Sequence, residues 1–406
     1  MKKIGRRTFV ISLLLAGFGA FPLRRAWPAL PAETVPSVGT VLPVSDHFNG
    51  SHFFNPGVLQ SPAPGQEPKR GGSGWFWRWV FGPEWPEWPQ VPALSPGPPP
   101  DVRVPKGTLR ITPVGHATFL IQMDRLNLLT DPIWSERCSP VSWAGPKRYR
   151  APGIRFEDLP PIDAVLITHN HYDHLDIPTL ERLARKGTSR AIVPLGNLDL
   201  VRSAGIAEVE TLDWWQSVRL SRHVAVTLVP ALHFSSRTLW DRNRSLWGGF
   251  VVSGPSGNLY QAGDTAYGPH FREIARRFQP IRAAILPISP FRPLPSDDAA
   301  GVRRPSVHMG PAEAVEAHLD LEARLSVACH FQAFQLGPDG FDDAVTELAS
   351  MLRTRDLNPE AFITPLPGQI LSVAPTPGIA VGDGPEDGRR RRLLGRWTPV
   401  RESAAR

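Results

Sequence analysis

At 406 residues, with 41% hydrophobic and 20% charged side chains, the chain has the composition of a globular protein, outside the disordered class. Its formal charge of +7 comes from the two ends: residues 1–32 carry six basic and no acidic side chains, and residues 380–406 carry seven arginines against four acids. The span between them sits at −2, which argues against a nucleic-acid partner.

At the amino terminus, Lys2, Lys3 and the pair Arg6-Arg7 precede an apolar stretch from Ile11 to Leu23. That stretch is too short to span a bilayer and has the form of an export signal. Arg6-Arg7-Thr8-Phe9 is similar to a twin-arginine signal, so residues 1–32 are read as an export segment of a bacterial protein, with Leu30-Pro31-Ala32 as the best cleavage site. The expected location is periplasmic or membrane-associated; an ordinary secretory signal or a retained anchor are the alternatives. Residues 33–105 form a Pro/Gly/Trp-rich extension with Trp75, Trp77, Trp79, Trp85 and Trp88, expected to be irregular apart from a short helix near Trp75–Phe81. The tryptophans fit either contact with a membrane face or a hydrophobic cover over the body of the protein.

From Thr108 the pattern becomes regular. Leu109–Val114 and Thr118–Gln122 read as strands joined by Gly115-His116-Ala117, and Asn127–Thr130 as a third, ending at Asp131-Pro132. Asp163–Thr168 is a continuous apolar run of strand length, followed by a helix around Pro178–Ala184. Further strands are expected at Ala191–Pro194, Val224–Pro230, Gly249–Ser253, Leu259–Ala262, Ala283–Pro287 and Leu325–Cys329. Helices are expected at Phe271–Phe278, Pro311–Leu319 and Asp342–Leu352. Strands and helices mixed in this way predict an α/β layered sandwich over residues 106–375, with a disordered basic tail at 376–406. Cys138 and Cys329 are read as two free, inert thiols.

The chemistry concentrates in Thr168-His169-Asn170-His171-Tyr172-Asp173-His174-Leu175-Asp176, directly after a buried strand. Four candidate ligands within six residues cannot all face one metal from a regular element, but on a tight loop they can splay around two. His233, Asp264 and His330 each lie just past the carboxyl end of a strand, where side chains from separate elements converge. Imidazole and carboxylate donors suit zinc, two per chain, with iron or manganese also admitted. His116, in a hairpin turn, reads as a structural residue or one that supports the ligands from behind rather than as a ligand, and His223, His270 and His318 as surface groups.

These segments resemble the signature of the metallo-β-lactamase superfamily. Gly115-His116-Ala117-Thr118, Thr130-Asp131-Pro132, Gly145–Arg150, Leu212-Asp213-Trp214-Trp215 and Leu246-Trp247-Gly248 resemble, more closely, the N-acylphosphatidylethanolamine-hydrolysing phospholipase D family. The likeness runs through roughly residues 46–375. It implies a four-layer αβ/βα metallo-β-lactamase sandwich. It also implies that His169, His171 and His233 hold a first metal, that Asp173, His174 and His330 hold a second, and that Asp264 bridges them. His308 matches an active-site histidine that is not a ligand, so Asp264 and His308 are the catalytic candidates. Phe331-Gln332-Ala333-Phe334 departs from the family's Trp/Phe-Gly-Thr-Phe.

The expected activity is a metal-dependent hydrolase, in which paired cations activate water as hydroxide near neutral pH. The first reading is a phosphodiesterase of phospholipase D type acting on N-acylphosphatidylethanolamine-like phospholipids. The alternative is a lactonase or another carboxylic-ester hydrolase, because the fold does not choose among these. Arg237, Lys147 and Arg148 are candidates to bind substrate anion, and Trp240 and Trp247, with Trp134, Trp143 and Phe331, to line an acyl groove. The partners expected are a phospholipid or other small ester and a membrane surface.

Overall fold

The computed structural model describes residues 42–57, 85–90, 96–238, 240–292 and 307–375. The export segment, most of the extension including Trp75, Trp77, Trp79 and the short helix, and the basic tail lie outside the described residues.

Two seven-stranded sheets face each other. The first is built from β1 (Leu109–Gly115), β2 (Thr118–Met123), β3 (Leu126–Thr130), β4 (Ala164–Leu166), β5 (Arg190–Pro194), β6 (Glu208–Leu212) and β14 (Leu371–Ser372), in the order β14-β1-β2-β3-β4-β5-β6. The second is built from β7 (Ser217–Arg219), β8 (Ala225–Val229), β9 (Gly249–Gly254), β10 (Gly257–Gln261), β11 (Ile281–Pro287), β12 (Ser326–Cys329) and β13 (Phe362–Ile363), in the order β13-β12-β11-β10-β9-β8-β7. Each sheet starts with antiparallel meanders and continues with parallel strands: β3-β4-β5-β6 in one, β10-β11-β12-β13 in the other.

Side-chain alternation sorts the apolar residues into three layers, because successive strand residues point to opposite faces. Ile111, Ile121, Leu128 and Leu166 from the first sheet meet Val226, Phe250, Leu259, Ile285 and Val327 from the second. The opposite face of the first sheet, with Leu120, Leu129, Val165 and Val193, packs on α1 (Ile177–Arg185) and α2 (Leu198–Ser203) through Leu180, Leu183 and Val201. The outer face of the second sheet, with Val251, Tyr260, Ala284 and Leu286, packs on α3 (His270–Phe278), α4 (Pro311–Leu321) and α5 (Asp343–Thr354). This is the four-layer αβ/βα sandwich that the sequence resemblance implies. Strands β3, β4 and β5 are buried almost throughout, which is why they read as apolar runs rather than alternating patterns.

Two short pieces of the extension are anchored on this body. Phe48 and Phe53 enter the inter-sheet core. Trp88 is buried, tilted against Tyr149 and edge-on to Phe341, and its indole N–H donates to the Asp339 carbonyl at 2.8 Å. Of the two readings of the tryptophan cluster, Trp88 follows the hydrophobic cover. Both thiols are buried and unpaired with each other. His270 and His318, expected at the surface, are instead buried on the inward faces of their helices. There His318 Nδ1 meets Ser326 Oγ at 2.8 Å and His270 Nε2 meets Thr265 Oγ1 at 3.2 Å, tying α4 and α3 to the second sheet and its loops.

Candidate metal centre

The loops after β4, β8, β10 and β12 open at one edge of the sandwich, and the structure brings all seven proposed donors together there. His169, His171 and His233 form one cluster; His169, His174 and Asp264 form a second; Asp173, His174 and His330, joined by His116, form a third. His308 meets His233 and Asp264 at the same place.

The local backbone explains how they converge. Gly263 has a φ of +63°, and a Cβ there would lie 2.7 Å from Thr168 Cβ, so only glycine lets the β10 loop close on the β4 loop and aim Asp264 inward. His116, Asp131 and His330 also occupy left-handed conformations, at φ of 57°, 37° and 62°, which cost on the order of 1–3 kcal/mol each in non-glycine residues. Strain of this kind collects where surrounding contacts over-determine a functional loop.

Asp264 Oδ2 is the common point. It lies 3.2 Å from both His174 Nε2 and His330 Nε2, 3.8 Å from His233 Nε2 and 4.0 Å from His169 Nε2. Asp173 Oδ2 lies 3.3 Å from His174 Nε2 and 3.2 Å from His330 Nε2. On the other side, His171 Nδ1 lies 2.9 Å from His169 Nε2 and 3.2 Å from His233 Nε2.

The donors test well against a metal. Two atoms each about 2.0–2.1 Å from one tetrahedral cation lie about 3.3–3.4 Å apart, which is close to the four separations among Asp173, His174, His330 and Asp264. His174 Nε2 and Asp264 Oδ1 are buried without a hydrogen bond, a costly arrangement unless another group completes them. The donor chemistry, imidazole with carboxylate, is that of zinc, iron or manganese sites.

Electrostatics divide the cluster. Burial pushes His171 and His308 down to about 4 and holds His169 and His233 well below the usual imidazole range, so these rings are neutral. Burial opposes charge on His330 too, but Asp264 and Asp173 outweigh it and lift His330 to about 9. His174 is likewise raised, with Asp264, Asp173 and Asp131 overcoming burial. Burial alone would raise the Asp264 and Asp173 carboxyls, yet the neighbouring imidazoles hold both well below the usual carboxylate range.

Outer contacts orient the donors. Asp131 is fully buried and accepts from His174 Nδ1 at 2.9 Å, from the Thr168 N–H at 2.7 Å and from Thr168 Oγ1 at 2.8 Å. His233 Nδ1 donates to the Val307 carbonyl at 2.8 Å, leaving Nε2 for the centre. The His233 carbonyl in turn accepts from Asn55 Nδ2 at 2.9 Å, a contact from the extension. Reading the sequence residue by residue missed Asp131 and Asn55 as orienting groups; for Asp131 the available signal was its place just past the end of β3, the same placement as the ligands.

The candidate substrate residues fare differently. Trp247 is 1% exposed, and its indole N–H is shared between the Ala231 carbonyl at 3.0 Å and Asn55 Oδ1 at 3.1 Å; it is a core residue behind His233 and lines no groove. Arg148 is turned inward: Nη2 donates to Ile133 O at 2.8 Å and Nε to Ser135 O at 3.2 Å, and burial lowers it to about 10. Arg237 stacks on Tyr172 and donates Nη1 to the carbonyls of Asn170 and Leu175, both at 2.8 Å, so it braces the loop that carries the donors. Lys147 is exposed, and Trp143 and Trp240 are 78% and 80% exposed. Trp134 is partly buried against α1, and Phe331 lines a small cleft with His116, Arg150 and Gln332.

Comparison with known proteins decides the family. A profile of the β-lactamase superfamily domain matches residues 126–331. The chain belongs to this superfamily. It is 33% identical over 271 residues to an N-acyl-phosphatidylethanolamine-hydrolyzing phospholipase D of Caenorhabditis elegans, covering 63% of this chain and 74% of that one. It is 30% identical over 247 residues to a metal-dependent hydrolase of Methanopyrus kandleri, covering 59% of this chain and 93% of that one. Among solved structures, an isothiocyanate hydrolase from Delia radicum gut bacteria superposes with a TM-score of 0.52 at 20% identity, covering 65% of this chain and 99% of that one, a likeness of fold. The protein is a metal-dependent hydrolase of the metallo-β-lactamase fold, with His/Asp clusters placed to hold the metal.

Proposed function

We propose that this superfamily member is a zinc-dependent phosphodiesterase of phospholipase D type, cleaving N-acylphosphatidylethanolamine-like lipids to phosphatidic acid and an N-acylethanolamine. The observation that carries the reading is one carboxylate oxygen, Asp264 Oδ2, placed between two donor sets, 3.2 Å from His174 and His330 and 3.8 Å from His233. Two cations, held by His169, His171 and His233 on one side and Asp173, His174 and His330 on the other, would polarise a phosphodiester and lower the pKa of a water to about 7. A phosphodiester presents two oxygens to such a pair. The likeness to the nematode phospholipase D, which spans 74% of that protein, supports this choice of substrate.

The chain's own groups do the remaining work. His308 lies on the open side of the cluster, its side chain 21% exposed and its Nδ1 3.6 Å from Asp264 Oδ2. Neutral at pH 7, it can accept the proton of the attacking water and return it to the departing ethanolamine oxygen as the P–O bond breaks. Arg237 holds the donor loop in register, which excludes the slack that a 1 Å misplacement would bring.

A lipid substrate requires contact with a membrane face. Exposed Trp143 and Trp240 sit on two loops tied to the donor loop, one through Ser135 to Asp176, the other through Arg237 to Asn170 and Leu175. Tryptophan favours the membrane interface. We assign the protein to the bacterial periplasm or its membrane surface from the Arg6-Arg7 signal; replacing both arginines with lysines should retain it in the cytoplasm.

The test is the zinc-loaded mature protein assayed in parallel on bis-p-nitrophenyl phosphate, N-acylphosphatidylethanolamine and a lactone panel. Release of phosphatidic acid, lost in Asp264→Ala, is expected. Efficient lactone turnover with no phosphatidic acid would assign the site to carboxylic esters instead.

A further inference from the structure

His116 lies outside the seven donors but touches two of them. Its Nε2 is 2.9 Å from Asp173 Oδ2, a hydrogen-bond distance, and its backbone carbonyl accepts from the His330 N–H at 3.1 Å. Its ring packs on the His330 ring at 3.9 Å. The side chain is 1% exposed. Five other imidazoles, those of His169, His174, His233, His308 and His330, come within 4.0 Å of Asp264 Oδ2, whereas no such contact joins His116 to that oxygen. His116 therefore meets the cluster through Asp173 and His330 rather than through the shared carboxylate oxygen.

We propose that His116 is a positioning residue for the second metal alone, fixing Asp173 through its ring N–H and His330 through its carbonyl. This rests on the two-metal reading of the centre. A neutral imidazole that donates Nε2–H to an anionic carboxylate aims the carboxylate without competing for the cation, and such partners typically set ligand orientation and basicity. The opposite ring atom, Nδ1, is buried with no hydrogen-bond partner among the described residues, where Asp173 is the polar group that fixes the tautomer of this ring. The left-handed backbone at His116, with φ of 57°, presents the carbonyl to His330 while the ring faces Asp173. Few residue types combine tolerance of that conformation with a donor of this reach.

Two substitutions separate the contributions. His116→Asn keeps a residue that accepts the left-handed backbone, but its amide is too short to reach Asp173. His116→Gln restores a donor of nearly the reach of Nε2. Zinc affinity at each site is read by competition with a graded chelator, with imidazole count from X-ray absorption of the cobalt-substituted protein and Tm as a check on folding. His116→Asn is expected to weaken the second metal by about 10–100-fold and the first by less than about twofold, with His116→Gln recovering most of the loss. Unchanged second-site affinity in His116→Asn, with the wild type holding two zinc ions, would overturn the inference alone. So would equal weakening of both sites, or loss of one imidazole from the cobalt shell, which would make His116 a ligand. Fewer than two zinc ions in the wild type would instead bring down the two-metal reading and the inference with it.

Discussion

Asp131 shows how much of this centre is set one contact away from the metal. Its carboxylate takes three short hydrogen bonds, from the backbone and hydroxyl of Thr168 and from His174 Nδ1, and so commits His174 to present Nε2 to Asp173 and Asp264. Asp131→Asn preserves the volume but sets an amide N–H against one of three donors. We expect zinc affinity at the second site to fall about 10–100-fold, with the first site much less affected, measured by metal analysis after dialysis against graded chelator. Equal retention of both metals would show that Thr168 alone holds the His174 ring. Gln332 is informative at the same scale. It occupies a left-handed position, φ 56°, where the sequence resemblance implies glycine, and its side chain donates to Asp342 Oδ1 at 2.6 Å, a contact glycine cannot make.

Among the elements, the interior strands were legible and the edges were not. The strands with a neighbour on each side, β1 to β5 and β8 to β12, are rich in buried residues and stand out as apolar runs. The missed strands β6, β7, β13 and β14 are the four edges, short and partly exposed, as edge strands tend to be. Site residues divide in the same way. Histidines and aspartates just past strand ends announce themselves locally, whereas His47 meets Asp213 across 166 residues and Asn55 meets His233 across 178.

The segment carrying these two is a strap over the loop that holds His233. His47 lies between Asp213 Oδ1 at 2.7 Å and Asp46 Oδ1 at 2.6 Å, with its ring stacked on Trp214. Burial opposes its charge, but the two carboxylates outweigh that and raise its pKa above 6.5. A pKa raised on folding stabilises fully below the unfolded value, near 6.5, and the contribution is lost as pH rises through the folded value. His47→Gln should therefore lower Tm more at about pH 6 than at about pH 9. An equal loss at both would mean that the ring acts by packing on Trp214 rather than by charge.

For the whole molecule, the two half-sandwiches each bring part of the centre. The first sheet supplies the His169–His174 loop and His116; the second supplies His233, Asp264 and His330. The metal is thereby a clamp between sheets, and chelation should lower Tm by mass action. Protons take its place when it is absent. The carboxylates raise His330 to about 9 and His174 well above the usual imidazole range, which favours their charged form, while burial favours the neutral form of His169, His171 and His233. Beyond any proton the bound water gives up, filling the second site at pH 7 should therefore release ring protons and filling the first none, because only neutral imidazole binds metal. Calorimetric titration in buffers of different ionisation enthalpy counts them. Equal release at both sites would contradict the division of charge.

Anomalous diffraction at the zinc absorption edge, on crystals of the zinc-loaded protein, locates the ions against their seven donors. Two peaks about 3.5–4 Å apart are expected, one against His169, His171 and His233, the other against Asp173, His174 and His330, with Asp264 touching both. A single peak, or two peaks that leave Asp264 or His330 unligated, would contradict the two-metal reading.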